Sequence, residues 1–208
     1  ALQFELNKPY YETSPWQHAS ILLFSRDKGK TWTQPVIVAK DPENKIFYWD
    51  QRASVLQDGS IFDTFWTYDN ETCSYLNIHA RYSADAGKTW SEIWDTGVWG
   101  QPGHVISLPD GKIAMPFIQR DRYPVIKIRV SDDMGKTWPE NTEMVVYNSA
   151  TKFEGIEKKS MKDTWVEFNK FSAGWPIAAK LDNSDFIIAY YCGDHPDHTN
   201  IEWVRIRP

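Results

Sequence analysis

The sequence has little of what would assign it to several common protein classes. Two cysteines in 208 residues, Cys73 and Cys192, are too few for a disulfide framework and lack the spacing of a metal site. We expect two half-buried free thiols in strands. A net charge of −5 argues against a nucleic-acid-binding protein. No apolar run reaches the ~20 residues that span a bilayer. We therefore expect a protein with no membrane span, no nucleic-acid partner, no metal and no cofactor.

Aromatic residues, by contrast, are abundant: the chain contains 11 Trp, 10 Tyr and 10 Phe. Aromatic side chains fill the cores between β-sheets, and exposed ones stack on the faces of sugars. Composition does not separate these two uses. The length is ample for one domain and marginal for two.

One eight-residue motif occurs three times in the sequence. Residues Ser25–Trp32, Ser83–Trp90 and Ser131–Trp138 fit the pattern S-x-D-x-G-K-T-W, the Asp box, and their aspartates are 58 and 48 residues apart. That spacing is the size of a four-stranded propeller blade. The short Asp side chain accepts hydrogen bonds from turn amides, and Gly permits a backbone conformation that other residues resist. The motif therefore predicts turns that fasten strands rather than catalytic sites.

A second repeat alternates with the Asp boxes. Asp58-Gly59 and Asp110-Gly111 lie between alternating apolar runs, which indicates hairpins, and Asp182-Asn183 is a looser copy. We expect these turns to join strands A and B of each blade, and the Asp boxes to join strands C and D. The predicted fold class is all-β: a single propeller domain, residues 1–208, made of four-stranded antiparallel blades.

The two repeats divide the chain into about three and a half blades. We expect them at about residues 1–40, 41–98, 99–148 and 173–208, with an insertion at 149–172. A six-bladed ring needs roughly 300 residues or more, so we expect further blades before residue 1. The alternatives are a compact four-bladed ring, half-rings that pair, and a last blade whose fourth strand comes from the N-terminus. An open propeller exposes sheet edges and core, which favours self-association.

The insertion contains the charge run Glu157-Lys158-Lys159, which predicts a solvated loop or a short helix. It connects strand D of one blade to strand A of the next. A lid over a pocket is therefore the alternative interpretation.

Function is expected on the face opposite the repeated turns, where strand A begins and strand B ends near the axis. The sequence places carboxylates, arginines and aromatic residues there, which are the groups that a glycan site uses. The candidate site residues are Trp49, Asp50, Arg52, Gln101, His104, Arg120 and Trp175.

Over nearly its whole length the sequence resembles the sialidase (neuraminidase) superfamily. The resemblance is carried by the Asp boxes and by Gly100–His104 with Gly111–Pro116, which are similar to the G-P-G-H-x-x-x-L and G-x-L-x-x-P segments of the penultimate sialidase blade. It implies that Arg120, with Arg122 as the alternative, belongs to the arginine triad that binds the sugar carboxylate. It also implies a secreted or periplasmic protein.

Two positions show how far this sequence matches the catalytic residues of sialidases. Sialidases place a glutamate six residues before the A-strand leucine of one blade, and here Asp50 precedes Leu56 by six. They place the nucleophilic tyrosine six residues before the corresponding leucine of the last blade, and here Trp175 precedes Leu181. The sequence therefore keeps a carboxylate at the first position and loses the nucleophile at the second.

The resemblance implies a sialidase-like glycoside hydrolase that acts on glycans, with a preference shifted away from sialic acid. Asp50 is then the catalytic carboxylate, and Arg52 and Arg120 bind the sugar. The remaining candidates shape the pocket: Trp49, Gln101, His104 and Trp175. Two alternatives stay open: a non-catalytic propeller that binds a glycan or a protein, and a structural segment without a complete site.

Overall fold

The chain folds into four antiparallel sheets that follow one another along the sequence as the blades of a propeller. The computed structural model describes residues 1–8, 12–183 and 185–207. Blade I contains β1 (Leu2–Asn7), β2 (His18–Leu23) and β3 (Val36–Ala39). Blade II contains β4 (Ile46–Val55), β5 (Ile61–Asp69), β6 (Ser74–Tyr75), β7 (Asn77–Ser83) and β8 (Trp94–Trp99). Blade III contains β9 (Gln101–Pro102), β10 (Ile106–Ser107), β11 (Ile113–Gln119), β12 (Val125–Ser131) and β13 (Met144–Asn148). Blade IV contains β14 (Ala173–Lys180), β15 (Phe186–His195) and β16 (His198–Ile206).

Strand order within the blades confirms the predicted all-β propeller. Blade II runs β4-β5-β7-β8, with the short β6 paired to β5, and blade III runs β10-β11-β12-β13, with β9 as a second piece of its strand A. Blade I supplies strands B, C and D, and blade IV supplies A, B and C. Within the described residues β1 pairs with β2, so the N-terminus does not complete blade IV.

The connections contain little helix. A 3₁₀ turn covers Glu140–Thr142, and one helix, α1 (Met161–Phe168), lies in the connection between blades III and IV. In the described ranges no helix is long and apolar enough to cross a membrane. The A–B turn of blade IV contains Ser184, which lies outside the described residues.

Both cysteines are unpaired, as expected. Cys192 is buried in β15. Cys73 departs from the prediction of a strand thiol, because it lies in the turn before β6 with a φ of 53°.

The core consists of layers between successive blades. Blades I and II share a cluster that includes Leu22, Val38 and Phe65. Blades II and III enclose a larger one around Phe62 and Phe117. Blades III and IV enclose a third, with side chains such as Ile118, Ile126, Phe186 and Ile188. Alternate residues of each strand point to opposite faces of its sheet, so the apolar alternation of the strands buries one row of side chains on each neighbour.

The three Asp boxes form the same hydrogen-bonded turn. The amide of the box Thr donates to Asp Oδ1 at 2.8, 2.8 and 2.9 Å in turn along the chain. The Thr hydroxyl donates to Asp Oδ2 at 2.6, 2.7 and 2.7 Å. The Thr31 hydrogen bonds hold the pKa of Asp27 at about 2, and those of Thr89 do the same for Asp85. The Asp boxes therefore stabilise turns between strands, as their composition predicted.

The box glycines bring adjacent blades together. Gly87 and Gly135 have φ values of 85° and 77°, which favour glycine. A methyl group at Gly87 would collide with the ring of Phe24 in blade I, and one at Gly135 with the ring of Phe62 in blade II. Each glycine therefore provides both the turn conformation and the space for an aromatic ring of the preceding blade.

The outward faces of the first and last blades carry exposed apolar side chains. On β1, Leu2, Phe4 and Leu6 are 44–53% exposed. On β16, Ile201 and Trp203 are 75% and 64% exposed. Exposed sheet faces of this kind favour association. Self-association of the protein stays a prediction.

Two box tryptophans should differ sharply in their contribution to stability. Trp138 is 4% exposed and contacts Phe62 edge-on at 6.3 Å between ring centroids, whereas Trp32 is 40% exposed. Both donate the same 3.1 Å hydrogen bond to the carbonyl of their box glycine. We expect Trp138→Ala to lower the free energy of unfolding by about 3–5 kcal/mol, as for a large side chain removed from a core. Trp32→Ala should cost about 1 kcal/mol or less.

Urea denaturation of the two variants and the parent protein measures this difference. Trp32→Ala is the matched control, because it removes the same hydrogen bond without opening a core cavity. Equal losses for the two variants would show that the hydrogen bond, and not the packing between blades, is what the tryptophan contributes.

Candidate functional site

A cleft of about 530 Å³ lies where strands A begin and strands B end, away from the repeated turns. Residues of blades I to IV and of the segment around α1 line it. Its polar lining residues are Glu5, Asp50, Gln101 and Thr199. Its aromatic lining residues are Trp49, Trp66, Trp165, Phe168, Phe171, Trp175 and Tyr191. Of the sequence-predicted site residues, the structure thus brings Trp49, Asp50, Gln101 and Trp175 into one cleft.

Asp50 and Trp175 reach the cleft from equivalent interruptions of their A strands. The β4–β5 pairing shifts register between Trp49 and Arg52, and the β14–β15 pairing shifts between Gly174 and Ile177. Asp50 and Trp175 have φ values of 46° and 48°, in the left-handed region that non-glycine residues seldom occupy. Bulges of this kind redirect a side chain and are frequent beside active sites.

A chain of hydrogen bonds connects Asp50 to blades III and IV. Gln101, which is buried, donates from Nε2 to Asp50 Oδ2. Its Oε1 accepts a hydrogen bond of 2.5 Å from Arg120 Nη1. Arg120 also donates from Nη2 and Nε to the carbonyl oxygen of Ala173, at 3.1 and 3.3 Å. The Asp50 carboxylate is therefore held in position by a residue that is itself fixed by Arg120.

The surroundings of Arg120 leave its guanidinium little access to the cleft. The group lies 4.0 Å from the centre of the Phe171 ring, a cation–π contact. A methyl group at Gly174 would collide with Arg120 Nη2 and approach the Tyr191 hydroxyl to 2.9 Å. Arg120 lines a neighbouring depression of about 280 Å³ together with Arg122, rather than the cleft itself.

Glu5 is an acidic residue of the cleft that the sequence did not single out. The backbone amide of Asp50 donates to Glu5 Oε1 across 45 residues of sequence. Burial, followed by the negative charge of Asp50, raises the pKa of Glu5 to about 7. The alternation in Leu2–Asn7 was the available signal, since it puts Glu5 on the face opposite Leu2, Phe4 and Leu6. Two acidic residues, Glu5 and Asp50, thus line the cleft.

The two other predicted residues lie outside the cleft. Arg52 donates from Nη1 to the Gln51 carbonyl at 3.1 Å, and its Nη2 is 3.9 Å from Asp50 Oδ2. It lines a small depression of about 120 Å³ behind Asp50. His104 lines a different depression with Ile177 and Ala178, and burial lowers its pKa to about 4. The structure therefore places Arg52 beside the carboxylates and His104 apart from them.

The segment around α1 forms the aromatic wall of the cleft. Phe168 stacks on Trp66 with ring centroids 5.4 Å apart, and Trp165 lies 6.2 Å from Trp49. Trp49 in turn stacks on Tyr68 at 4.3 Å. The expected short helix is present, and its residues line the cleft. A lid role for this segment stays a prediction.

Polar contacts fix α1 against blade II. Glu167 is buried and accepts hydrogen bonds from the Tyr75 hydroxyl at 2.7 Å and from Lys158 Nζ at 2.9 Å. The hydroxyls of Thr164 and Tyr68 are hydrogen-bonded at 2.8 Å. The charge run that predicted a solvated segment is therefore only partly solvated, because Lys158 pairs with a buried carboxylate while its neighbours Glu157 and Lys159 are exposed.

Known proteins share the repeat and the fold. The BNR/Asp-box repeat family matches residues 81–92. A curated sialidase of Bacteroides fragilis is 25% identical over 125 residues, which is 58% of this chain and 22% of that protein. Among solved structures, a protein of unknown function from Dyadobacter fermentans has a TM-score of 0.66 at 22% identity, over 98% of this chain and 49% of that one. A Hadza microbial sialidase has a TM-score of 0.60 at 16% identity, over 97% of this chain and 41% of that one.

The chain has the fold of a sialidase-like β-propeller and contains BNR/Asp-box repeats. It spans about a fifth of the length of the curated relative and less than half of each of the two solved structures. The fold is that of a glycoside-hydrolase-like propeller. The likeness at these identities concerns architecture alone.

The raised pKa of Glu5 predicts a defined pH dependence of stability. A carboxyl group with a folded-state pKa of about 7 and an ordinary value of 4.5 destabilises the fold as pH rises between those values. Gln keeps an oxygen acceptor but does not titrate. We expect the stability of Glu5→Gln relative to the parent to rise by about 2 kcal/mol from pH 4.5 to 7 and then to level off.

Denaturant unfolding at half-unit pH steps measures this difference. Buried His18, with a pKa lowered to about 4, gives the opposite slope in both proteins, so it cancels in the comparison. Glu157→Gln, at an exposed position, is the control and should show no trend. A Glu5→Gln difference that is independent of pH would contradict the assigned environment of Glu5.

Proposed function

We propose that the cleft binds a glycan and that the protein is a sialidase-like glycoside hydrolase with Asp50 as its catalytic carboxylate. One observation carries the proposal: Glu5 and Asp50 both line a cleft whose other walls are largely aromatic, and the Asp50 amide donates to the Glu5 carboxylate. Glycoside hydrolysis is most often performed by a pair of carboxyl groups at the scissile bond, and aromatic rings bind the apolar faces of sugars.

The two carboxyl groups suit different roles. Burial and the charge of Asp50 keep Glu5 protonated up to a pH of about 7. Glu5 can therefore donate a proton to the glycosidic oxygen as the bond breaks. Asp50 faces the same space and can stabilise the positive charge that develops at the anomeric carbon, or accept a proton from the attacking water.

Gln101 and Arg120 act on this chemistry through Asp50. The amide of Gln101 fixes the Asp50 carboxylate, and Arg120 fixes the orientation of that amide because its Nη1 donates to Oε1. Arg120 is thus a positioning residue in this proposal rather than a ligand for a sugar carboxylate. Arg52 Nη2 lies 3.9 Å from Asp50 Oδ2 and places a positive charge beside that carboxylate.

A non-catalytic glycan-binding propeller is the second candidate function. The observation that favours it is Trp175, which stands where the sialidase resemblance implies a tyrosine nucleophile. Its side chain is 58% exposed beside the cleft and meets Tyr191 edge-on at 6.4 Å between ring centroids. An exposed indole face is a sugar-stacking surface and supplies no nucleophile. Retained glycan binding with no turnover on any glycoside would select this function.

A substitution at Asp50 tests the catalytic assignment. The purified protein is first screened for hydrolysis of aryl glycosides and oligosaccharides. On any substrate that is cleaved, we expect Asp50→Asn to lower kcat by about 10²–10⁴-fold, because the variant keeps the shape of the side chain and loses its charge. The measurement is steady-state release of the aglycone across pH 4–9.

Asp132→Asn is the matched control for Asp50→Asn. It changes an exposed carboxylate in an Asp-box turn, at the other ends of the strands, and should leave kcat unchanged. Turnover by Asp50→Asn at the parental rate would remove Asp50 from the mechanism.

A further inference from the structure

The charges that face the cleft differ from those expected of a site for an acidic sugar. Eleven described residues line the cleft, and none of these is a lysine or an arginine. Its two acidic residues are Glu5 and Asp50, and the Asp50 amide donates to Glu5 Oε1. A ligand that carries a carboxylate would bring a third acidic group to this place.

The cations nearest to the cleft are already occupied by partners in the protein. Arg120 donates to Gln101 Oε1 and to the Ala173 carbonyl and is covered by the ring of Phe171. Arg52 donates to the Gln51 carbonyl and lies beside Asp50. Lys158 is paired with Glu167 at 2.9 Å. A sugar carboxylate that drew Arg120 or Lys158 away would leave a buried or half-buried partner unsatisfied, which is costly. Arg52 lines the depression behind Asp50 rather than the cleft.

The same surfaces suit an uncharged sugar ring. The C–H faces of a pyranose are apolar and stack on aromatic rings, and the cleft offers the exposed indole of Trp175 and the rings of Trp165 and Phe168. Sugar hydroxyls are hydrogen-bond donors, and carboxyl oxygens such as those of Glu5 and Asp50 accept them. The donors and acceptors of a neutral sugar therefore match those of the cleft without a cation.

We infer that the cleft selects an uncharged sugar ring and discriminates against sugars that carry a carboxylate, such as sialic or uronic acids. This inference rests on the proposal that the cleft is a glycan site. It adds the substrate class, and it gives a physical reason why Arg120 can match a sialidase arginine in sequence without binding the same group.

Matched pairs of ligands that differ by one carboxylate test the inference. We would measure the binding of methyl β-glucoside against methyl β-glucuronide, and of methyl α-galactoside against methyl α-galacturonide, with methyl α-sialoside as a further acidic ligand. Titration calorimetry and ligand-observed NMR at pH 7.5 give the affinities. We expect the preferred neutral glycoside to bind at least about tenfold more tightly than its acidic partner. Glu5→Gln should narrow that ratio by reducing the negative charge of the cleft.

Two tryptophan substitutions test whether the neutral glycoside binds in the cleft. Trp175→Ala should weaken binding of the neutral glycoside about tenfold through the loss of stacking. Trp203→Ala, which removes an exposed tryptophan of the same blade outside the cleft, should leave binding unchanged. Equal effects of the two variants would overturn the assignment of the neutral sugar to this cleft.

The remaining outcomes separate this inference from the proposed function. Tighter or equal binding of an acidic partner, or no binding of any neutral glycoside, overturns the inference. Hydrolysis of a sialoside would overturn it while supporting the hydrolase proposal. Selective binding of a neutral sugar with no turnover supports the inference and rejects the hydrolase in favour of a glycan-binding propeller.

Discussion

The turn closed by the Asp-box aspartate is the interaction on which the rest of the structure depends. Its carboxylate accepts from both the amide and the hydroxyl of the Thr four residues later, so the chain reverses within a few residues at the end of strand C. In the second and third boxes the turn also holds its glycine at a positive φ, where the aromatic ring of the preceding blade fills the space that a side chain would need. Blade closure and blade stacking therefore come from one local motif.

The rigidity of this frame explains how the opposite face can hold strained residues. Asp50 and Trp175 occupy left-handed backbone conformations at interruptions of their A strands, which cost of order 1–3 kcal/mol each. Such conformations persist when the surrounding ladder determines them. On either side of the Asp50 bulge, β4 and β5 pair continuously from Ile46 to Trp49 and from Arg52 to Val55. The strain is thus confined to the residue whose side chain faces the cleft.

The sequence predicted the parts of the molecule that are encoded locally. Repeat spacing predicted the blades and their turns. The position six residues before Leu56 predicted Asp50 as a candidate site residue. Glu5 was missed because β1 belongs to a blade without an A–B turn in this chain, and its partner Asp50 lies 45 residues away. The part of the aromatic wall around α1 was predicted only as the alternative of a lid, because the charges of residues 157–159 suggested solvent. Burial of Glu167 against Tyr75 and Lys158 is a tertiary contact.

Arg120 shows that a residue can match a sialidase arginine in sequence position without having the same role. A guanidinium has five donors in a fixed plane, and its use depends on which acceptors surround it. Here the flexible neighbour is Gln101, which turns its oxygen toward Arg120 and its nitrogen toward Asp50. Gly174 leaves room for the guanidinium to reach the Ala173 carbonyl, and Phe171 closes over it. Contacts with three neighbours, one each from blade III, blade IV and the segment after α1, thus hold the Arg120 side chain inside the protein. Because each of them contacts Arg120 through a different element, freeing the guanidinium for another ligand would require changes in all three.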